Sequence, residues 1–194
     1  MIKEDMRKKT IISDVNVAKL TMPVSSQRDH IQGRDSAQVT LVEYGDYECP
    51  YCGQAYPIVK QVQKRLENKL RFVFRNFPIT QIHPHAQHAA EAAEAAAVQN
   101  KFWDMHDYLF EHQKALDDVY LEQYAKKIRI DNISKFKYEL EQRVYAARVR
   151  EDFLSGVRSG VNGTPTFFIN GIRYDESWDA ESLAAALLRI QRKV

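Results

Sequence analysis

The sequence predicts an α/β chain in which a central mixed sheet is flanked by helices and an all-α insertion separates the second and third core strands. Three observations carry this. Two β-rich runs, residues 39–44 and 70–75, enclose a segment of helical period. Residues 84–158 are helical in pattern throughout. A hairpin signal, Asn170-Gly171, then precedes one more amphipathic segment. Strand–helix–strand implies a parallel pair joined by a right-handed crossover. With 194 residues, 44 % of them apolar, the chain can bury one full core, and residues 29–194 are read as one domain behind an N-terminal arm, 1–28.

The arm mixes charge, Ser and Thr without a sustained period and is expected to be mobile or to pack only in part. Residues 29–33 form a short candidate edge strand. Val39-Thr40-Leu41-Val42-Glu43-Tyr44 is a β-rich strand closed by Gly45. A helix is predicted from Pro50 to about Glu67, because Pro suits a first turn and Tyr56, Val59, Val62 and Leu66 recur at helical spacing. Residues 70–75 return to strand and stop at the breaker residues 76–78. In the helical block, 85–98 is rich in Ala and Glu, and 101–112 gathers Phe102, Trp103, Met105, Leu109 and Phe110 on one apolar face. Two further helices follow, 121–128 and 133 to about 157, the latter with Phe136, Leu140, Val144, Ala147 and Phe153 near one stripe. Strands 166–169 and 172–174 flank the Asn-Gly turn, and 179–192 closes the chain as a helix through Leu183, Leu187 and Ile190.

A net charge of +2 and a pI near 8.4 argue against nucleic acid as a partner, since phosphate binding needs a concentrated basic face. The densest basic run, Arg7, Lys8 and Lys9, reads as a solvated tail. No stretch approaches the roughly 20 apolar residues of a membrane span, so no membrane association is expected. The first twenty residues are studded with charge and hold no apolar signal core. The expected location is therefore cytoplasmic, or periplasmic or membrane-anchored if the sequence has been trimmed.

The two cysteines, Cys49 and Cys52, are the only ones in the chain, a spacing that two random cysteines would take roughly once in a hundred sequences of this length. The loop they close is too small to stabilise a fold. Cys49 falls where a strand has ended and a helix begins. Unpaired N–H groups and the dipole of a helix N-terminus favour a thiolate there. Cys52, one turn on, can attack a mixed disulfide at Cys49, which makes Cys49 the nucleophile and Cys52 the resolving thiol. No cofactor is required. A zinc site completed by His83, His85 or His88 is the competing reading, disfavoured because those histidines stand at i, i+2 and i+5 around a Pro. His83, His85, His88 and His106 are otherwise read as structural or surface residues. Asp46 and Glu48 flank the pair and oppose a depressed thiol pKa. Glu43 shares a face with Leu41, not Val42; it is either an exposed strand charge or a buried carboxylate of raised pKa that relays protons for Cys52.

Glu43-Tyr-Gly-Asp-Tyr-Glu-Cys49-Pro-Tyr-Cys52, together with Gly163-Thr164-Pro165-Thr166-Phe-Phe-Ile-Asn-Gly171, resembles the DsbA-like thiol–disulfide oxidoreductases. Phe77-Pro78, Ile82-His83-Pro84-His85-Ala86 and Lys101-Phe-Trp-Asp-Met-His-Asp107 are similar as well, so the resemblance runs from about residue 29 to the end. It implies a thioredoxin-like fold with an inserted helical domain. It also implies a cis Thr164–Pro165 bond facing the cysteines, with the Thr164 backbone free to pair with an extended substrate, and an acid relay at Glu43. Pro50, Tyr51, Thr164 and Pro165 are then the substrate-contacting residues. The dipeptide Pro50-Tyr51 matches the glutaredoxin active site instead of the Pro-His pair of the best-known periplasmic oxidases. The implied partners are protein thiols and disulfides, or glutathione, and a recycling redox protein. The alternatives are a glutathione-linked oxidoreductase or isomerase, and a non-enzymatic binding module whose CxxC is vestigial or holds metal.

Overall fold

The computed structural model describes residues 17–191. Five strands form one sheet: β1 (His30–Gln32), β2 (Val39–Gly45), β3 (Leu70–Asn76), β4 (Thr166–Ile169) and β5 (Ile172–Tyr174). Their order across the sheet is β1-β3-β2-β4-β5. Only β2 and β3 run parallel; the other neighbours are antiparallel. The parallel pair is joined by α1 (Pro50–Leu66) and a short 3-10 turn, the crossover expected of a β-rich run, a helix and a second β-rich run. Between β3 and β4 the chain inserts α2 (Ala86–Ala97), α3 (Phe102–Glu111), α4 (Asp118–Lys127), α5 (Ile133–Glu141) and α6 (Ala146–Arg158), and it ends in α7 (Ala180–Gln191). This is the predicted thioredoxin-like arrangement with its all-α insertion.

β2 is central, and all seven of its residues are buried. Its alternation serves two cores. Leu41, Phe72, Phe74, Phe167 and Ile169 face α1, α7 and the helical insertion, whereas Val42, Tyr44, Val73 and Phe168 face the other way, against Phe77, Phe153, Leu20 and Val24. The β4–β5 hairpin turns at Asn170 (φ 47°) and Gly171 (φ 82°), the left-handed pair that an Asn-Gly turn supplies.

Two expectations can be set against the structure. Of the arm, 1–28, residues 1–16 lie outside the described residues; from Val17 onward the chain is laid on the domain. Lys19 bridges Ile172 at the β5 edge, with Leu20 N–H donating to Gly171 O and Arg173 N–H to Ala18 O, both at 2.9 Å. The carbonyls of Met22 and Pro23 accept from the buried Arg75 guanidinium. What looked like a segment without period is held by its backbone, which composition does not display.

The second expectation, one helix over 133 to about 157, is corrected: the segment forms two helices. Arg143 adopts the left-handed conformation at φ 55°. Its N–H donates to Leu140 O and that of Val144 to Glu139 O, the paired bonds that close a helix C-terminus. Its guanidinium makes a two-pronged bond to Glu91, a carboxylate only 1 % exposed on α2.

Candidate active site

Cys49 is the N-cap of α1, with φ −71° and ψ 122°, and Pro50 opens the first turn without forfeiting a hydrogen bond. Cys52 follows one turn in and is wholly buried, while Cys49 is 4 % exposed. Both thiols are free. The register of β2 on β4 pairs Tyr44 with Thr166. That pairing delivers the residues just before β4 to the end of β2 from which the cysteine loop departs. Thr164 O accordingly accepts from the Cys49 thiol at 3.3 Å. The Thr164–Pro165 peptide is cis. Pro50 and Tyr51, next in sequence, are exposed, Tyr51 by 62 %.

The two thiols differ sharply. The Cys49 thiol is lowered from 9.0 to about 5, chiefly by a hydrogen bond from the Cys52 thiol. Burial opposes the shift; the Thr164 side chain and the backbone N–H groups of Cys52 and Tyr51 reinforce it. The Thr164 hydroxyl is buried and has no other partner. Cys52 is pushed well above its ordinary range by burial, then by its bond to Cys49 and the nearby charge of Glu43, despite a 3.4 Å bond from Asp46 N–H.

Glu43 is 2 % exposed, on the Leu41 face as alternation requires, and its Oε1 has no hydrogen-bond partner. Burial, and then the Cys49 charge, raise its pKa from 4.5 to about 8. The exposed-charge alternative for this residue is thereby overturned.

The flanking acids are both hydrogen-bonded within the structure. Asp46 is folded inward and accepts from Glu48 N–H, Ile79 N–H and His83 Nδ1 at 2.8 Å each. Glu48 accepts from His85 N–H at 2.7 Å and pairs with His85 Nδ1 at 2.8 Å, while His85 Nε2 meets Asp117 at 3.2 Å. The His85 pKa is raised, first by that bond to Glu48. Both carboxylates thus tie the cysteine loop to residues 79–85. His83 and His85, zinc candidates or surface residues on sequence grounds, are the partners of these acids in the structure. His88 pairs with Asp118, and His106 is buried among aromatic rings. Among the described residues, no cluster of three or more His, Cys, Asp or Glu is arranged to hold a metal ion.

One further side chain reaches the site from the insertion. Gln113, in the α3–α4 loop, donates through Nε2 to Tyr47 O at 2.8 Å and to Cys49 O at 2.9 Å.

A thioredoxin family model matches residues 25–188. The oxidised structure of BdbD from Bacillus subtilis superimposes with a TM-score of 0.78 at 24 % identity, covering 91 % of this chain and 97 % of that one. A thioredoxin-like oxidoreductase from Silicibacter pomeroyi DSS-3 gives 0.74 at 26 % identity, over 86 % of this chain and 94 % of that one. Wolbachia pipientis alpha-DsbA1 gives 0.76 at 16 %, over 90 % and 95 %. Higher identity occurs elsewhere. Na(+)/H(+) antiporter NhaA 1 of Salinispora arenicola (strain CNS-205) is 47 % identical over 171 residues, 88 % of this chain and 26 % of the antiporter. NhaA 1 of Mycolicibacterium vanbaalenii (strain DSM 7251 / JCM 13017 / BCRC 16820 / KCTC 9966 / NRRL B-24157 / PYR-1) is 42 % identical over 173 residues, 87 % of this chain and 28 % of that one. The chain spans about a quarter of the length of these curated relatives. No helix among the described residues is long and apolar enough to cross a membrane.

Proposed function

Since this chain belongs to the thioredoxin family and carries the fold of the DsbA-type oxidoreductases, we propose that it exchanges disulfides with protein substrates through Cys49 and Cys52. The observation that carries this reading is the Cys49 sulfur at the head of α1, held at a pKa of about 5 and 3.3 Å from the Thr164 carbonyl. At neutral pH that sulfur is a thiolate, whereas an ordinary cysteine is mostly protonated.

In the reducing direction the Cys49 thiolate attacks one sulfur of a substrate disulfide. A new S–S bond forms to Cys49, the old one breaks, and the leaving sulfur takes the electron pair. The Cys52 thiol is kept protonated by burial and must lose its proton before it can attack. Glu43 has a free oxygen, and its ionised form, favoured once the mixed disulfide removes the neighbouring Cys49 charge that helps raise its pKa to about 8, accepts that proton. The Cys52 sulfur then displaces substrate from Cys49. The substrate leaves as a dithiol, and the chain is left oxidised by two electrons. The same steps run backwards deliver a disulfide. Because thiolate formation stabilises the reduced pair, its potential should lie above thioredoxin's, about −270 mV. Pro50, Tyr51 and the Thr164 backbone form the docking lip for an extended substrate.

The relatives named as antiporters suggest that a module of this kind also occurs within much longer chains; transport itself is not proposed for the matched quarter. The test is insulin reduction with dithiothreitol or glutathione as electron source. We expect turnover by the wild type and none by Cys49→Ser. A wild-type rate from that variant, or activity confined to glutathione mixed disulfides, would sink the proposal.

A further inference from the structure

The redox centre is held from two sides, and one of the holders lies outside the thioredoxin core. Gln113 sits in the loop between α3 and α4, more than sixty positions from Cys49 in sequence. One amide nitrogen serves two carbonyls, those of Tyr47 and Cys49, and so uses both of its hydrogens. The Cys49 carbonyl also accepts the first bond of α1, from Gly53 N–H at 3.1 Å. The amide therefore grips the helix cap itself. Its other end rests against Gly53: a Cβ at that position would lie 1.9 Å from Gln113 Oε1. Gly53 is helical and needs no special backbone angle, so the seat of the amide accounts for the missing side chain.

We propose that Gln113 is a positioning residue of the redox centre, its amide locking the Tyr47–Cys49 turn to the helical insertion so that the Cys49 sulfur stays aligned with Thr164 and the first N–H groups of α1. The inference rests on the reading of Cys49 as the nucleophile. The positive end of the amide also points at the cap carbonyl, which lowers the cost of negative charge on the adjoining sulfur. Releasing the clamp lets the turn relax and takes that pole away. The insertion thereby becomes a determinant of thiol reactivity.

The experiment is the pH profile of Cys49 alkylation by iodoacetamide on the reduced full chain. Gln113→Met keeps the volume and loses both hydrogen bonds. We expect its alkylation rate near the wild-type midpoint to fall about fivefold, the effect of one or two ordinary hydrogen bonds, and its midpoint to move upward. Gln113→Glu, which replaces donors by a charge, should move it further in the same direction. Gly53→Ala should reproduce the Gln113→Met profile although Ala is the better helix former. The Gly53→Ala/Gln113→Ala pair should be no worse than Gln113→Ala alone, because the two changes disturb one contact. A purely structural role would lower thermal stability and leave the profile in place. If Gln113→Met and Gly53→Ala both titrate like a wild type whose own midpoint is low, the clamp is dismissed and the proposed function stands. If the wild type itself titrates like a free thiol, the functional reading fails first.

Discussion

Residues 43 and 75 sit one register step apart on neighbouring strands, on opposite faces of the sheet, and each buries an ionisable group in a different way. Arg75 is fully buried and pairs in register with Tyr44. All five of its N–H donors are used: two on Asp29, two on the carbonyls of Met22 and Pro23, one on the Tyr44 hydroxyl. Asp29 accepts in addition from Ser25 N–H and Arg28, and Arg28 continues to Asp152, which also takes Arg148 and Asn76 N–H. Glu43, opposite Phe74 in the register, is left with one oxygen facing nothing. A buried charge with every partner in place fixes structure. One with a partner withheld keeps a free energy that a proton can release, and this one lies behind the cysteine pair.

The sharpest way to break that contrast is to remove the saturated cation. Arg75→Met preserves bulk but leaves Asp29 buried without its main counter-charge. We expect a loss of about 3–5 kcal/mol in denaturant unfolding, the range for breaking a buried pair from one side. A loss under 1 kcal/mol would show that the network is as loosely specified as the Glu43 site.

Glu43→Gln should do the opposite. In the folded reduced chain Glu43 titrates near 8, against an ordinary value of 4.5. Below 4.5 it is protonated whether folded or unfolded, so wild type and variant have equal stability. As pH rises, the unfolded chain ionises first, and stability drains away until the folded carboxyl has titrated through 8. Near pH 7 the variant should be more stable by about 3 kcal/mol, one pKa unit being worth about 1.4 kcal/mol, while insulin reduction slows. Cys49 has the reverse sign: lowered from 9.0 to about 5, it contributes stability above 9 that is lost as pH falls through 5. The two slopes oppose each other between 5 and 8. Reduced wild type should therefore be nearly flat over that window, Glu43→Gln should rise with pH, and Cys49→Ser should fall. Thermal melts at pH 5, 6, 7 and 8 read all three; a Glu43→Gln variant less stable than wild type at pH 7 would place Glu43 in the same class as Arg75.

The same contrast explains what could be read in advance. Strands, the Asn-Gly turn and the helix faces follow from period and local chemistry, and the Cys49–Cys52 spacing and the side of β2 that bears Glu43 need nothing beyond the chain itself. Thr164 is 115 positions from Cys49, and only the family resemblance could connect them. Helix ends were legible where Asn100 and Gly160 take the left-handed position, residues suited to it; the end of α5 was hidden because Arg143 takes that position there. The docking of residues 17–28 was hidden for a different reason, since the groups that hold Arg75 from Met22 and Pro23 are carbonyls, which every residue carries. Gln113 gave no signal because its partners are backbone too.

A third arrangement, charges paired in water, completes the series and carries the smallest expected effect. Arg65 on α1 reaches Glu181 on α7 with Nη1 at 2.7 Å and Nη2 at 3.4 Å, a two-armed pair in which both side chains stay largely exposed. Its shorter arm is closer than either arm of Arg75 on Asp29. What differs is that water can replace either partner at once, so neither charge is stranded when the other is removed. Arg65→Ala should leave the unfolding midpoint within error of wild type at 0.15 M salt, and the small difference that low salt reveals should vanish as salt is added. A loss comparable to that of Arg75→Met would mean that geometry, rather than the exclusion of water, decides what these pairs contribute, and the distinction drawn between positions 75 and 43 would have to be rebuilt on that basis.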